Sequence, residues 1–371
     1  MSKVHISLVM IVKNETKRLR HTLLSVLGYI DSLIIFDTGS TDNTIDILKE
    51  FSTENNIPLH LLEGEFIDFS TSRNICLDFA DTFTDNDFLL FLDCNDELKE
   101  GNFLRNFCQE NIDKPTTAYF ISQEWWNGNT CEKYYNLKIV KSRKGWRYKG
   151  RVHEYLYNNL HNITEYIPDK IVIYQDRTKD DDKTHKRYEN DKNILVEEIK
   201  DNPTDSRSIF YLARTYNCMG HLKKAFTYFK LRTTLGGFYE EIFESFLKCG
   251  EISQKLKYDW YESFSWYIKA FEIINRVEPL LYIANYYIDK NWLLSYNFSS
   301  LACKLSYPNN CKLFVDKIAY DYTRWHFLSV SGWHSGFFKE GKKACLKAIS
   351  SGVNTIEDKK ILEYYENINN T

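Results

Sequence analysis

The sequence predicts two folded parts: an α/β domain on a mostly parallel, doubly wound sheet, then an all-α domain of helical repeats. Three observations carry this. Short apolar runs alternate with helix-period stretches through the first half of the chain. Polar clusters come directly after those runs, at the carboxyl ends where ligands sit in such sheets. Beyond residue 200, large and small residues recur at the spacing of closely packed helix pairs.

In chain order, His5–Val12 is a nearly continuous apolar run, the pattern of a strand buried on both faces. Leu19, Leu23 and Leu27 then recur every fourth residue, a helix period. Ser32–Asp37 is a second strand, and Ile45/Leu48 with Ile47/Phe51 predict a second helix. Leu59–Leu62 is a weaker strand, whereas Asp87–Asp93 sets five apolar residues between carboxylates. From Thr117 to Asp176 the pattern turns to strands: Ala118–Ser122, Tyr134–Lys141, Trp146–Tyr157 and Ile171–Gln175. The charge-dense stretch Asp176–Lys192 reads as a surface loop leading into a helix. A boundary there gives domains over residues 1–180 and 181–371.

Behind that boundary, Leu212, Ala213, Tyr216, Gly220, Ala225 and Phe229 fall where a tetratricopeptide repeat sets large, small, large, turn, small and large residues. Ile283, Ala284, Tyr287, Trp292 and Ala302 make a weaker second unit. Trp325, Leu328, Ser329, Gly336, Gly341 and Ala348 make a third. The run Gly336 to Gly341-Lys342-Lys343 nearly matches a phosphate-binding loop. It lacks the Ser/Thr that holds magnesium, is preceded by no strand and fits the third repeat.

Composition excludes several classes. At 371 residues the chain is long for one domain and suits two. A net charge of −3 offers no basic face, so no nucleic-acid partner is expected. The nine cysteines include no C-x-x-C pair, which removes zinc-ribbon and thioredoxin-type chemistry and points to a reducing compartment. No secretory leader is visible, and no stretch reaches the ~20 apolar residues of a membrane span. Asn14-Glu15-Thr16 is a glycosylation sequon within the expected site, which also points to the cytoplasm. No oligomeric state can be read from these features.

Several residues are of types that carry chemistry. Asp93-x-Asn95-Asp96 comes after a buried strand, where a carboxylate cluster can hold a divalent cation that neutralises a diphosphate. Read singly, it also suits a strand-end turn or the cap of a helix after Gly101. Asp37 ends the second strand, where it can accept hydrogen bonds from a base or ribose or start the turn toward Ser40, Thr41 and Asp42. Arg73 can grip phosphate or lie on a helix surface. His153-Glu154, expected on a strand, is not a zincin motif because residue 157 is Tyr; His can ligate metal and Glu can act as a base.

Taken in order, five segments resemble the family 2 glycosyltransferases of the GT-A fold, in the branch with tetratricopeptide-like repeats. They are Met10-Ile11-Val12-Lys13-Asn14-Glu15, Asp37 through Thr44, Phe69 through Arg73-Asn74, Leu92-Asp93-Cys94-Asn95-Asp96-Glu97, and Tyr148 through His153-Glu154. The resemblance spans residues 5 to about 157 and, more loosely, the repeats. It implies a Rossmann-like sheet domain, a uridine diphosphate sugar as donor and inversion at the anomeric carbon. By position, Ile11 and Lys13 line the nucleotide pocket and Glu15 fixes its floor. Asp37 binds uracil or ribose, Arg73 the base or phosphate side, and Asp93 opens the family's D-x-D motif. Asp93, Asn95 and His153 are the implied ligands of Mn2+ or Mg2+. Asn95 departs from the family's Asp, a weaker ligand that Asp96 can replace, and Lys138 stands where relatives often carry Arg.

An inverting transfer needs one carboxylate near the acceptor hydroxyl. Glu154 is the expected base, with Asp96 and Glu124 behind it. Trp125-Trp126 suits either stacking on a sugar or loop packing. The acceptor is a hydroxyl on a protein, peptide or glycan, which the repeats can present. Asn95 leaves a second reading open, a catalytically weakened domain serving as an interaction scaffold.

Overall fold

The computed structural model describes residues 3–126, 128, 131–160, 163–179 and 183–367. Residues 180–182, within the charge-dense Asp176–Lys192 stretch, lie outside the described ones. Packing divides the chain into two units, Met1–Glu198 and Ile199–Thr371.

The first unit opens with β1 (Ile6–Val12), α1 (Leu19–Ser25), β2 (Ser32–Asp37), α2 (Thr44–Asn55), β3 (Leu59–Glu63), α3 (Phe69–Asp81) and β4 (Phe88–Phe91). It continues with β5 (Glu97–Lys99), α4 (Asn102–Asn111), β6 (Ala118–Trp126), β7 (Cys131–Lys141), β8 (Arg147–Lys149), β9 (Tyr155–Tyr157), β10 (Thr164–Tyr166) and β11 (Val172–Asp176). The helix α5 (Lys183–Asp201) straddles the division, so the first unit runs past residue 180.

The main sheet has the order β3-β2-β1-β4-β7-β6-β11-β5, with β10 beside β6. The β3-β2-β1-β4 half is parallel, and β7 joins it antiparallel. Strand alternation sends successive side chains to opposite faces. Leu8, Met10, Leu33, Ile35, Phe88 and Leu90 pack on one face with Leu23, Phe51 and Leu104 of the helices α1, α2 and α4. Val9, Ile34, Phe36, Leu89 and Phe91 pack on the other with Cys76, Leu77 and Ala80 of α3. Helices on both faces are what near-continuous apolar strands require. With β1, β2 and β4 parallel, their carboxyl ends share one edge of the sheet, and the polar clusters lie there.

Two expectations are corrected. The segment Trp146–Tyr157 is not one strand but a hairpin, β8 pairing with β9 as a separate two-stranded sheet. Gly150 at φ +91° and His153 at φ +52° bend the intervening chain, so His153-Glu154 lies in the turn and not on a strand. Glycine suits the left-handed conformation at residue 150 because it has no Cβ to clash.

The second unit is helical: α6 (Ser206–Cys218), α7 (Leu222–Arg232), α8 (Tyr239–Lys255), α9 (Trp260–Ile273), α10 (Val277–Tyr287), α11 (Trp292–Cys303), α12 (Arg324–His334), α13 (Phe338–Ser350) and α14 (Thr355–Asn367). The three expected repeats are the pairs α6–α7, α10–α11 and α12–α13. A fourth pair, α8–α9, has no counterpart in the sequence pattern; there a Cβ on Gly250 would stand 2.4 Å from the Tyr267 ring, so that crossing needs the smallest residue. The Gly336–Lys343 run lies at the α12–α13 turn and within α13, as a helical repeat and not a phosphate loop. Among the described residues no helix is long and apolar enough to cross a membrane.

Candidate active site

The first cluster joins the tips of β1 and β2. Asp37, 2% exposed, accepts from the N–H groups of Gly39 (2.9 Å) and Ser40 (2.8 Å) through Oδ1. Its Oδ2 is buried without a hydrogen-bond partner. Asn14, at φ +57°, accepts from Thr41 N–H at 2.7 Å and donates its own N–H to Ser40 Oγ at 3.0 Å. Glu15 donates its N–H to Thr44 Oγ1 at 2.7 Å, and its carbonyl accepts from Leu19 N–H, starting α1. These bonds fix the chain around Lys13, whose side chain is exposed, while Ile11 packs partly buried on the α3 face.

The second cluster lies at the tip of β4. Arg73, nearly buried on α3, donates from Nη2 to Asp93 Oδ1 and from Nε to Glu154 Oε1, both at 2.6 Å. Lys138, inward-facing on β7, donates to Asp93 Oδ2 at 3.3 Å and lies 3.6 Å from Asp96 Oδ2. Asp96 Oδ2 accepts from Asp93 N–H at 2.9 Å, which closes the turn; Asp96 Oδ1 is buried without a partner. Tyr148 lies beneath, its ring centre 5.4 Å from the Arg73 guanidinium.

Electrostatics separate the two aspartates. Burial opposes the Asp93 charge, but Lys138 and Arg73 hold its carboxyl well below the usual range. Burial pushes Asp96 up to about 6, with Lys138 opposing and the Asp93 charge adding. Burial disfavours the Lys138 ammonium, yet Asp93 and Asp96 raise its pKa. Three carboxylates (Asp93, Asp96, Glu154) thus face two cations (Arg73, Lys138), leaving an excess of negative charge when all are ionised.

The structure therefore brings Arg73, Asp93, Asp96 and Glu154 into one network and places Asp37 and Glu15 at the ends of β2 and β1 on the same sheet edge. With β1 between them, β2 and β4 are two strand spacings apart, about 10 Å. Asp96, the second expected catalytic carboxylate, is fully buried and accepts from the Asp93 backbone. Asn95 is partly buried and His153 is exposed on the hairpin turn. Among the described residues no group of three or more His, Cys, Asp or Glu side chains forms a ready metal site. The hard oxygen donors of Asp93, Asn95 and Asp96 nonetheless suit Mg2+ or Mn2+, and the orphaned Asp96 Oδ1 and the surplus carboxylate charge fit an added cation.

The resemblance places Lys138 where relatives often carry Arg, and the sequence offers no role for Tyr148 or Asn74. A lysine alternating with apolar residues along a central strand is the available signal for Lys138. Trp125 carries the Arg177 guanidinium 3.3 Å from its ring centre and Tyr134 edge-on at 4.7 Å, a packed setting. Glu124 is partly buried on β6.

Against known proteins, the profile of glycosyl transferase family 2 matches residues 7–167. The SPbeta prophage-derived glycosyltransferase SunS of Bacillus subtilis is 23% identical over 228 residues, 59% of this chain and 51% of that protein. A TPR repeat-containing protein of Synechococcus elongatus is 29% identical over 167 residues, 44% of this chain and 38% of that one. The chain thus spans about half, or less, of the length of these curated relatives. Among solved structures, TarS 1-349 of S. aureus in complex with UDP-GlcNAc aligns with 13% identity and a TM-score of 0.38, over 90% of this chain and 92% of that one. The matched profile covers β1 through β10 and so includes both clusters at the strand tips. Residues 7–167 are a glycosyl transferase family 2 domain, carried on a chain that continues into tetratricopeptide-like helix pairs.

Proposed function

We propose that the chain is an inverting glycosyltransferase that moves a sugar from a nucleotide sugar, a uridine diphosphate sugar by family resemblance, to a hydroxyl on a protein, peptide or glycan. The observation that carries this is the buried, unpartnered Asp37 Oδ2 on the same sheet edge as the Arg73–Asp93–Lys138 network. A buried carboxylate oxygen without a donor is costly unless a ligand supplies one. A ribose hydroxyl or base N–H is such a donor.

In this reading Ile11, Lys13 and Glu15 frame the nucleotide, Asp37 takes its base or ribose, and Arg73 and Lys138 turn toward the diphosphate. Guanidinium suits phosphate through paired N–H donors, and lysine through its point charge. Asp93, Asn95 and Asp96, with His153 as the further candidate, would hold Mn2+ or Mg2+. Bound there, such a cation offsets the charge of the leaving diphosphate.

Glu154 takes the proton from the acceptor hydroxyl while that oxygen bonds to the anomeric carbon on the face opposite the leaving group. The anomeric carbon–phosphate oxygen bond breaks with its electron pair going to the nucleoside diphosphate. Arg73, already on Glu154 at one oxygen, keeps this carboxylate beside the reacting centre.

Calorimetry with uridine diphosphate, with and without Mn2+, then a hydrolysis screen of uridine diphosphate sugars, tests this directly. Binding strengthened by Mn2+ and slow sugar release are the expected results. Absence of any nucleoside diphosphate binding would overturn the reading and favour the scaffold alternative that Asn95 keeps open.

A further inference from the structure

We propose that Asn74 is a positioning residue that sets where Glu154 meets Arg73 and Asp93. This rests on the transferase reading above and deepens it.

Among the described residues strand β8 pairs with β9 alone, so its other edge has no strand partner there. Tyr148 is the middle residue of β8 and is buried, and backbone groups buried at an unpaired edge need partners. The Asn74 side chain provides both. Its Nδ2 donates to the Tyr148 carbonyl at 2.9 Å, and its Oδ1 accepts the Tyr148 N–H at 2.7 Å. One planar amide thus replaces one residue of a missing strand. Within the hairpin, Tyr148 lies opposite Leu156. Because its N–H and C=O go to Asn74, that pair is of the non-hydrogen-bonded kind, as alternation in an antiparallel ladder allows.

The amide matters because Tyr148 leads directly to Glu154. From Tyr148 the chain passes through β8's last residue and the turn with left-handed Gly150 and His153, and reaches Glu154 six positions later. Helix α3 holds β8 through Arg147, whose Nη2 donates to Asp78 (2.7 Å) and Asp81 (2.9 Å), and holds the hairpin at further points toward Glu154. Phe69 N–H donates to the Arg151 carbonyl at 3.2 Å, Asn74 grips Tyr148, and Arg73 takes Glu154. Asn74 bonds both backbone groups of one strand residue, and two opposed hydrogen bonds to one residue set register as well as distance, which a side-chain ion pair such as Arg147 with Asp78 does not. Adjacent positions on a helix point about 100° apart. Arg73 can therefore reach the tip of β4 while Asn74 grips the hairpin, and the two residues act as one device. The Phe91 ring meets Tyr148 edge-on at 5.6 Å, so the contact also ties the hairpin to the β4 strand that carries Asp93.

The test compares Asn74→Ala and Asn74→Asp with the full-length wild type, after establishing turnover of a uridine diphosphate sugar. The dissociation constant of uridine diphosphate, kcat and thermal unfolding are measured for each. Asn74→Ala is expected to lower kcat about a hundredfold, as misplacement of a reacting group by about 1 Å does. Binding of uridine diphosphate should change less than about threefold, since the substitution frees the hairpin that carries Glu154 and leaves Arg73 on α3 and the tips of β1, β2 and β4 in place. Asn74→Asp keeps an acceptor for the Tyr148 N–H, so its kcat should fall between the two. It also provides the comparison if Asn74→Ala does not fold. Unchanged kcat in a folded variant overturns the proposal, and so does a loss of kcat that merely tracks the unfolded fraction. A wild type inert toward every nucleotide sugar instead sinks the transferase reading, and this inference with it.

Discussion

Both units bury arginine–carboxylate networks, and they differ in how completely those networks are closed. In the helical unit, Arg276 is 1% exposed and bonds Glu278 through Nε and Nη2. Nη1 and Nη2 also donate to the carbonyls of Leu313 (3.1 Å) and Phe314 (2.7 Å), and Glu278 also accepts from Asp316 N–H. Arg232 does the same with Glu241 and the carbonyls of Leu235, Gly236 and Phe238. At the strand tips, Arg73 and Lys138 face three carboxylates, and Asp37 Oδ2 and Asp96 Oδ1 have no partner. A saturated network holds loops in place; an unsaturated one is poised for a ligand. Saturation, more than burial or charge, separates these two arginine–glutamate pairs from the strand-tip cluster, although the helical unit also holds one orphaned carboxylate oxygen, Asp358 Oδ2.

The sharpest way to break this comparison is to remove one charged partner from each region. Asp93→Ala is expected to cut turnover about a thousandfold, the scale of losing a main electrostatic contact in a transfer site. Its circular dichroism should stay unchanged, because Asp93 is the most exposed member of the cluster. Steady-state sugar-nucleotide hydrolysis reads this, and wild-type rates would remove Asp93 from the site. Arg276→Leu should do the reverse. It leaves Glu278 buried and uncompensated, costing about 3–5 kcal/mol in urea unfolding, with uridine diphosphate affinity unaltered. Loss of nucleotide binding there would undo the division between the two kinds of network.

How far each region is legible in the sequence depends on the same distinction. The apolar runs of β1, β2 and β4 are plain because strands buried on both faces admit few polar residues. Asp37, Arg73, Asp93 and Glu154 are legible as ordered motifs, but not the contacts among them. Arg73 and Asp93 are 20 residues apart, Arg73 and Glu154 are 81, and no periodicity reports such a distance. The burial of Asp96 is not legible either, because its adjacency to Asp93 carries no information on burial. The hairpin at 147–157 passes for one strand because Trp146, Tyr148, Val152 and Leu156 alternate as a strand's residues do. Only the backbone at Gly150 and His153 breaks it.

The pair α8–α9 is hidden for a related reason: its key small residue, Gly250, is matched by a tyrosine 17 positions later and not by a motif. Gly250→Ala sharpens that point. The added methyl would press on Tyr267, which is itself stacked on Tyr282 with ring centres 5.2 Å apart. A loss of about 1–3 kcal/mol in the unfolding of the helical unit is expected, the usual scale of overpacking. Wild-type stability would mean that the helices part without cost and that their close crossing is not required.

The smallest expected effect tests whether the poised region is also the pH-sensitive one. Asp191 lies buried on α5, and burial pushes its carboxyl up to about 6, with Arg187 opposing and Glu154 adding like charge. Its folded pKa thus exceeds the value of the unfolded chain. The protonated form contributes stability fully below about pH 4, and that contribution is lost as pH rises through about 6. Asn cannot ionise, so Asp191→Asn should melt about 2–4 °C above wild type at pH 7.5, the shift expected for ~1 kcal/mol in a unit of this size. At pH 4 the two should melt together. Scanning calorimetry at both pH values decides it. A constant offset between the two proteins would assign the effect to packing around α5, and leave the charge surplus beside Glu154 without a thermodynamic signature.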